Sequence, residues 1–314
     1  MDATALIAID WGTTSARAYR QNASGRIVGE RSAHLGIAQI RDGQFSSALA
    51  TLLDDWAKDP APRLACGMIG SRQGWAEAPY RECPVALDAL AAGLTEVTGG
   101  RLAIVPGVTC LDSAAVPDVM RGEETQILGA TLGVKRADAT PYLVVLPGTH
   151  SKWAIVGDGR IEAFATYLTG ELFAVLKEHS VLGRMMAATP APRAASTQAF
   201  TRGVERGVAA KGKPASLLHD IFGARTLALF RELSETTTAD YLSGLLIGSE
   251  IREGVAWASG RGVSADRVVL IGAPALVERY TVACALAGVV TVAGPADAAA
   301  RGLWWIARHA GLVT

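Results

Sequence analysis

The sequence predicts an α/β protein built in two halves. Three observations carry that expectation. An early stretch, "ALIAIDWGTTSARAYRQNASGRIVGE", and a later one, "YLVVLPGTHSKWAIVGDGRIEAF", share one pattern: an apolar run, a turn built on Gly-Thr, and a second run reaching Gly-Arg-Ile. Strand-like and helix-like segments alternate along the chain. The 314 residues, half of them apolar, can bury a sizeable core and fill roughly two domains.

The elements follow in order. Residues 4–9 are mostly apolar, as expected of a strand buried on both faces. The turn-rich Asn22-Ala23-Ser24-Gly25 joins two apolar runs, which predicts a hairpin with "GRIVGE" as its partner strand. In "FSSALATLLDDWAK", Phe45, Leu49, Leu52, Leu53 and Trp56 fall on one helical face. "RLACGMIG" reads as a short strand, "SRQGWAEAPYRECP" as a polar, aromatic loop, "LAIVPGV" as a strand and "GEETQILGATLGV" as a helix.

The second copy of the opening pattern starts at Tyr142. Residues 187–216, rich in Ala, Pro and Gly, read as a surface excursion. "YLSGLLIGSEIREGVAWA" reads as a helix with small residues on one face, and "RVVLIGAPALVERYTVACAL" as strand, glycine turn and helix. "DAAARGLWWIARHAG" closes as a helix packed through Trp304 and Trp305. The expected domains are residues 1–122 and 123–296, with a helix at about 297–314 packing back on the first.

Thirty basic and thirty acidic residues balance, which argues against a general nucleic-acid or anionic-membrane partner. The four cysteines are widely spaced, so free thiols fit better than a disulfide framework or a structural zinc. No signal-peptide pattern opens the chain, and its most apolar stretch is shorter than a membrane span of about 20 residues. A soluble, cytoplasmic protein is expected.

Chemically, a glycine-threonine turn between strands aims backbone N–H groups at one spot and can cradle an anion. Thr13, Thr14 and Ser15 add hydroxyl donors, and Asp10 at the strand end could hold magnesium through water. Two such hairpins could grip the terminal phosphates of a nucleotide.

These motifs resemble the sugar kinase, actin and heat-shock ATPase superfamily. "IAIDWGTTSARAY" and "LPGTHSKWAI" are similar to its two phosphate loops, and "VVLIGAPAL" to its adenosine loop. The resemblance implies duplicated ribonuclease H-like (actin-like ATPase) domains with a central cleft, and ATP with Mg2+ as cofactors. It implies phosphate binding by Gly12, Thr13, Thr14 and Ser15, and by Gly148, Thr149, His150, Ser151 and Lys152. Nucleotide contacts are also expected from Gly244, Gly248, Gly272 and Ala273. The superfamily's second loop usually begins Asp-x-Gly. Here it begins Leu146-Pro147-Gly148, so metal is expected at Asp10. Lys152 either adds positive charge to that loop or is solvated after the turn.

"CGMIGSRQGWAEAPYRECP", "PGTHSKW", "TGELFAVLKEHSVLG" and "YLSGLLIGSEI" are similar to strings of the 2-dehydro-3-deoxygalactonokinases of galactonate catabolism. The implied reaction moves phosphate from ATP to the 6-hydroxyl of 2-dehydro-3-deoxy-D-galactonate. Sugar kinases of the superfamily place an aspartate at a helix start before the second loop, whereas "MRGEETQILGATLG" offers glutamates. A Gly-x-Glu start is also similar to the exopolyphosphatases, and that comparison puts Glu124 ahead of Glu123 as the base, with Asp10 the other catalytic residue. A glutamate there is equally a helix cap.

The substrate carboxylate calls for an arginine, which makes Arg72, with Ser71, Gln73 and Trp75 beside it, the expected sugar-acid site. Trp75 on its own reads as a core residue or loop anchor more often than as a ligand contact. The alternatives are a kinase for another sugar acid, an exopolyphosphatase-like phosphohydrolase, and a filament former or sugar sensor. The expected partners are the sugar acid and ATP, without nucleic acid or membrane, and a homodimer is compatible with this reading.

Overall fold

The computed structural model describes residues 3–97, 101–132, 140–209 and 216–314. It divides into two compact units, one of Met1–Pro141, Val156–Phe164 and Pro295–Thr314, the other of Tyr142–Ile155 and Ala165–Gly294.

The first unit opens with β1 (Leu6–Trp11), β2 (Ala16–Gln21) and β3 (Ile27–Ala33), an antiparallel meander turning at the expected hairpin. Helix α1 (Phe45–Leu53) buries Phe45, Leu49, Leu52 and Leu53 against Ile7, Ile9 and Trp11. It stops at Leu53, and a tight turn over Asp54–Lys58 brings Trp56 into the same core. Next come β4 (Arg63–Cys66), β5 (Tyr80–Glu82), β6 (Val85–Ala86), α2 (Leu87–Ala91), β7 (Thr95–Val97) and β8 (Leu102–Ile104). β9 (Gly107–Leu111), β10 (Pro117–Met120) and α3 (Glu123–Thr131) complete this run. The segment "LAIVPGV" is thus two strands, parted at Val105-Pro106 because proline lacks the N–H a ladder needs. The main sheet runs β3-β2-β1-β4-β8-β7, with β4 parallel to both β1 and β8.

The second unit begins with β11 (Tyr142–Leu146) and β12 (Ser151–Gly157). β13 (Arg160–Tyr167) starts in the first unit, where Arg160 and Ile161 pair with Ala86 and Val85. α4 (Thr169–His179), α5 (Arg193–Val208), α6 (Leu217–Leu229), α7 (Thr238–Ser259), β14 (Arg267–Leu270), α8 (Pro274–Leu286) and β15 (Val290–Ala293) follow. The order β12-β11-β14-β15 repeats β2-β1-β4-β8 of the first unit, so the duplicated motif reflects a duplicated sheet topology.

Two expectations are corrected here. Residues 187–216 are no simple surface excursion: α5 occupies Arg193–Val208, and the stretch 210–215 lies outside the described residues. Phe200 and Val204 are buried, and α5 crosses α7 so closely that a Cβ on Gly203 would lie 2.1 Å from Tyr241 O. The division expected at 122/123 also differs, because α3 belongs to the first unit. There it packs on the closing helix α9 (Ala298–His309), where a Cβ on Gly302 would fall 1.9 Å from Thr125 O. Trp304 in turn covers the Gly25 turn. Among the described residues, no helix is long and apolar enough to cross a membrane.

Candidate active site

The first Gly-Thr turn is closed by Gly12 N–H donating to Ser15 O at 2.9 Å. Its carbonyls are tied down from behind: the N–H groups of Gly36, Ile37 and Ala38 bond the oxygens of Thr14, Gly12 and Thr13 at 3.0–3.1 Å. Groups that would repel an anion are thereby sequestered, while Thr13, Thr14 and Ser15 stay exposed. A Cβ on Gly12 would meet nothing nearer than 3.5 Å, so the glycine keeps space open over the turn.

Asp10 sits beside this turn at the end of β1, half-buried. Burial pushes its carboxyl up to about 6; the Glu123 carboxylate adds to the rise, and Arg17 and Cys66 oppose it. The Cys66 thiol, itself held well above its ordinary range by burial, donates to Asp10 Oδ1 at 3.9 Å. Two glycines with positive φ let α3 approach. Gly67 (φ 93) passes under Trp11 O, and a Cβ on Gly122 (φ 112) would lie 3.1 Å from Gly67 Cα.

At the start of α3, Glu123 accepts the Arg121 N–H at 3.0 Å and is half-buried. Glu124 is fully buried, with Oε2 on the Gly122 N–H at 2.6 Å and Oε1 on the Thr125 hydroxyl at 2.8 Å. Burial first, then the Glu123 charge, raises its carboxyl to about 7. Glu124, expected as the base, therefore has no surface with which to meet a substrate, and both oxygens serve its own helix start. Asp10 and Glu123 are the more open carboxylates of the group.

The sugar-acid loop is divided. Arg72 is 88% exposed, with only a loose pairing to Glu77 at 3.5 Å, and Gln73 is exposed beside it. Ser71 Oγ is buried without a hydrogen-bond partner. Trp75 is an anchor: its ring stacks on Phe45 at 6.1 Å and packs into the core. Arg121, which the sequence reading passed over, is buried over the Tyr80 ring with Nε and Nη1 unpartnered.

In the second unit, Gly148 again leaves open space, with nothing within 3.9 Å of a Cβ, and Thr149 and His150 are exposed. The loop is braced by α4, where the Glu171 N–H donates to Thr149 O at 2.9 Å and the Glu171 carboxylate meets His150. Ser151 and Lys152 are buried. Lys152 is buried rather than solvated, and Ser151 Oγ is engaged with Tyr280, so neither offers a free surface group. Gly272 and Ala273 lie exposed before α8, alongside Pro147. Gly244 and Gly248, expected at the nucleotide, instead serve the α5–α7 crossing, since Cβ atoms there would fall 2.1 Å from Phe200 O and 2.6 Å from Val204 O. A cavity of about 390 Å³ opens beside Gly148, with Phe173, Asp240, Ser243, Leu276 and Arg279 on its wall. Arg279 is fixed there by Asp240 at 2.7 Å and Ser243 at 3.0 Å.

Comparison with known proteins decides the family. A sequence model described as 2-keto-3-deoxy-galactonokinase matches residues 10–306. The chain belongs to the 2-keto-3-deoxy-galactonokinase family. A Rhizobium meliloti (strain 1021) family protein named probable 2-dehydro-3-deoxygalactonokinase is 37% identical over 95% of this chain and 97% of its own. The Escherichia coli (strain K12) 2-dehydro-3-deoxygalactonokinase is 36% identical over 92% of each chain. A solved Sinorhizobium meliloti structure of similar designation superposes with a TM-score of 0.84 at 35% identity, covering 96% of this chain and 98% of that one. The activator of 2-hydroxyisocaproyl-CoA dehydratase from Clostridium difficile, 11% identical with a TM-score of 0.52 over 97% and 95% of the two chains, shares the fold. The fold class is α/β, of the actin-like ATPase kind.

Proposed function

We propose that the chain transfers the terminal phosphoryl group of ATP to the 6-hydroxyl of 2-dehydro-3-deoxy-D-galactonate. The observation that carries this reading is membership of a family whose relatives bear that activity's name across nearly their whole length. The open glycine turns at Gly12 and Gly148 support phosphate binding, and the cavity beside Gly148 is suited to the nucleoside. A phosphohydrolase is not favoured, since the relatives are kinases by name.

Mg2+ fits the donor set. The Glu123 carboxylate raises the demand of Asp10 for positive charge, and no group of three or more ligating side chains is placed to hold a metal alone among the described residues. That suits a cation which takes one or two carboxylates and completes its shell with phosphate and water. Bound there, it would neutralise charge on the transferring phosphoryl group. Asp10 would hold it, and Thr13, Thr14 and Ser15 would donate to phosphate oxygens. Glu123, the more open glutamate of the α3 start, would take the hydroxyl proton, while Glu124 braces the turn behind it. Arg72, free to swing, would pair the substrate carboxylate. The test is ATP consumption with and without a panel of 2-keto-3-deoxy sugar acids. Consumption that needs no acid would refute the reading.

A further inference from the structure

Glu250 lies on α7, only 3% exposed. Its partners are neutral donors. Trp153 Nε1 donates to Oε1 at 2.9 Å, and the Tyr280 hydroxyl donates to Oε2 at 2.6 Å. Burial pushes its carboxyl above the ordinary range, against hydrogen bonds from Thr169, Tyr280 and Trp153. Burying a carboxylate costs a fold free energy, and an apolar side chain of similar volume would often pack there at no loss. What Glu250 orients accounts for its presence.

The carboxylate only accepts, so the Tyr280 O–H donates to it. The Ser151 hydroxyl, 3.0 Å from Tyr280 Oη, then donates to that oxygen. Ser151 Oγ is left as an acceptor facing the Gly148 N–H at 3.5 Å. One carboxylate thus fixes the direction of a row of hydroxyls ending at the second glycine turn. Thr169 opens α4, whose next residues touch the same turn: a Cβ on Gly170 would lie 2.4 Å from Gly148 O, and the Glu171 N–H bonds Thr149 O. Glu250 therefore reaches the turn by two routes.

We propose that Glu250 is the positioning residue of the second phosphate loop, orienting Tyr280 and Ser151 and bracing Thr169 so that Gly148 and Thr149 keep the shape that receives nucleotide phosphate. This rests on the kinase reading and deepens it. Glu250 acts through its neighbours and touches no phosphate itself.

Tyr280→Phe removes one oxygen from the row and keeps the ring. ATP affinity, measured by calorimetric titration without sugar acid, should weaken about tenfold, while the KM of the sugar acid is unchanged. Glu250→Gln, which keeps the shape but offers an N–H where an acceptor stood, should do the same. Ser151→Ala should match Tyr280→Phe, and the double variant should be no worse than either, since each single change already breaks the row. Wild-type ATP affinity in Tyr280→Phe and Glu250→Gln, additive effects in the double variant, or equal losses for both substrates would overturn the proposal. Gly148→Val separates the two layers, because its side chain enters open space. If it binds ATP normally, the loop reading falls and this proposal with it. If it blocks ATP while Tyr280→Phe does not weaken it, the role of Glu250 alone falls.

Discussion

The Glu124 carboxylate is folded back on the Gly122 N–H, 2.6 Å away, at the same helix start whose Glu123 stays partly open to solvent. Adjacent glutamates thus have separate tasks, and each can be tested.

The folded state holds the Glu124 proton more tightly than the unfolded chain does. Its stabilising contribution is therefore full below about pH 4.5 and is lost as pH rises through about 7. The rise from 4.5 to about 7 corresponds to about 3 kcal/mol at 1.36 kcal/mol per pH unit. Glu124→Gln should gain stability relative to the wild type by up to about that amount between acid and mildly alkaline buffer. Denaturant melts at both pH values check this; a pH-independent difference would mean that Glu124 is not raised.

Glu123→Gln should lower kcat steeply with ATP affinity nearly intact, because glutamine keeps the shape but cannot take the proton. Single-turnover kinetics with ATP titration on the same variant measures both quantities. Near-normal kcat would remove Glu123 as the base.

Asp10→Asn should lower kcat by on the order of a thousandfold, the scale of several kcal/mol expected when metal help with developing charge is lost. Thermal melts should show the fold retained. Substantial turnover at saturating magnesium would argue against Asp10 as the anchor.

Arg72→Ala should raise the sugar-acid KM about ten- to a hundredfold, the worth of a charge-assisted bond of about 1.5–3 kcal/mol. The KM of ATP should barely move, as steady-state kinetics with each substrate varied would reveal. Fold stability should be untouched, since Arg72 is 88% exposed.

Gly302→Ala drives a methyl to 1.9 Å from Thr125 O, where α9 meets α3. Overpacking against backbone costs about 1–3 kcal/mol or more, so the melting midpoint should fall clearly. Activity should fall with it, because α3 carries both glutamates.

The strands were legible because β1 and β11 are buried on both faces and read as continuous apolar runs. Helix α1 showed its stripe because it buries one face and leaves the other to solvent. Helix α5 was hidden: its Ala-, Pro- and Gly-rich surroundings suggest a loop, and the crossing of Gly203 over Tyr241 O depends on the distant α7. That crossing also explains why Gly244 and Gly248 looked like nucleotide contacts, since small residues suit either use. The turn between β1 and β2 was readable as a turn, and Thr13, Thr14 and Ser15 are exposed there. Glu250 was not, because Trp153 and Tyr280 stand 97 and 30 positions away from it. Local pattern carries no trace of such a row, nor does it tell a buried glutamate at a helix start from an open one.

The central claim is acid-dependent phosphate transfer to one hydroxyl, and proton–phosphorus correlation NMR on the reaction mixture tests it most directly. With ATP, magnesium and 2-dehydro-3-deoxy-D-galactonate, the new phosphorus signal should couple to the protons on carbon 6 and grow in step with ADP. Inorganic phosphate as the only new phosphorus product, formed equally without the sugar acid, would contradict the account.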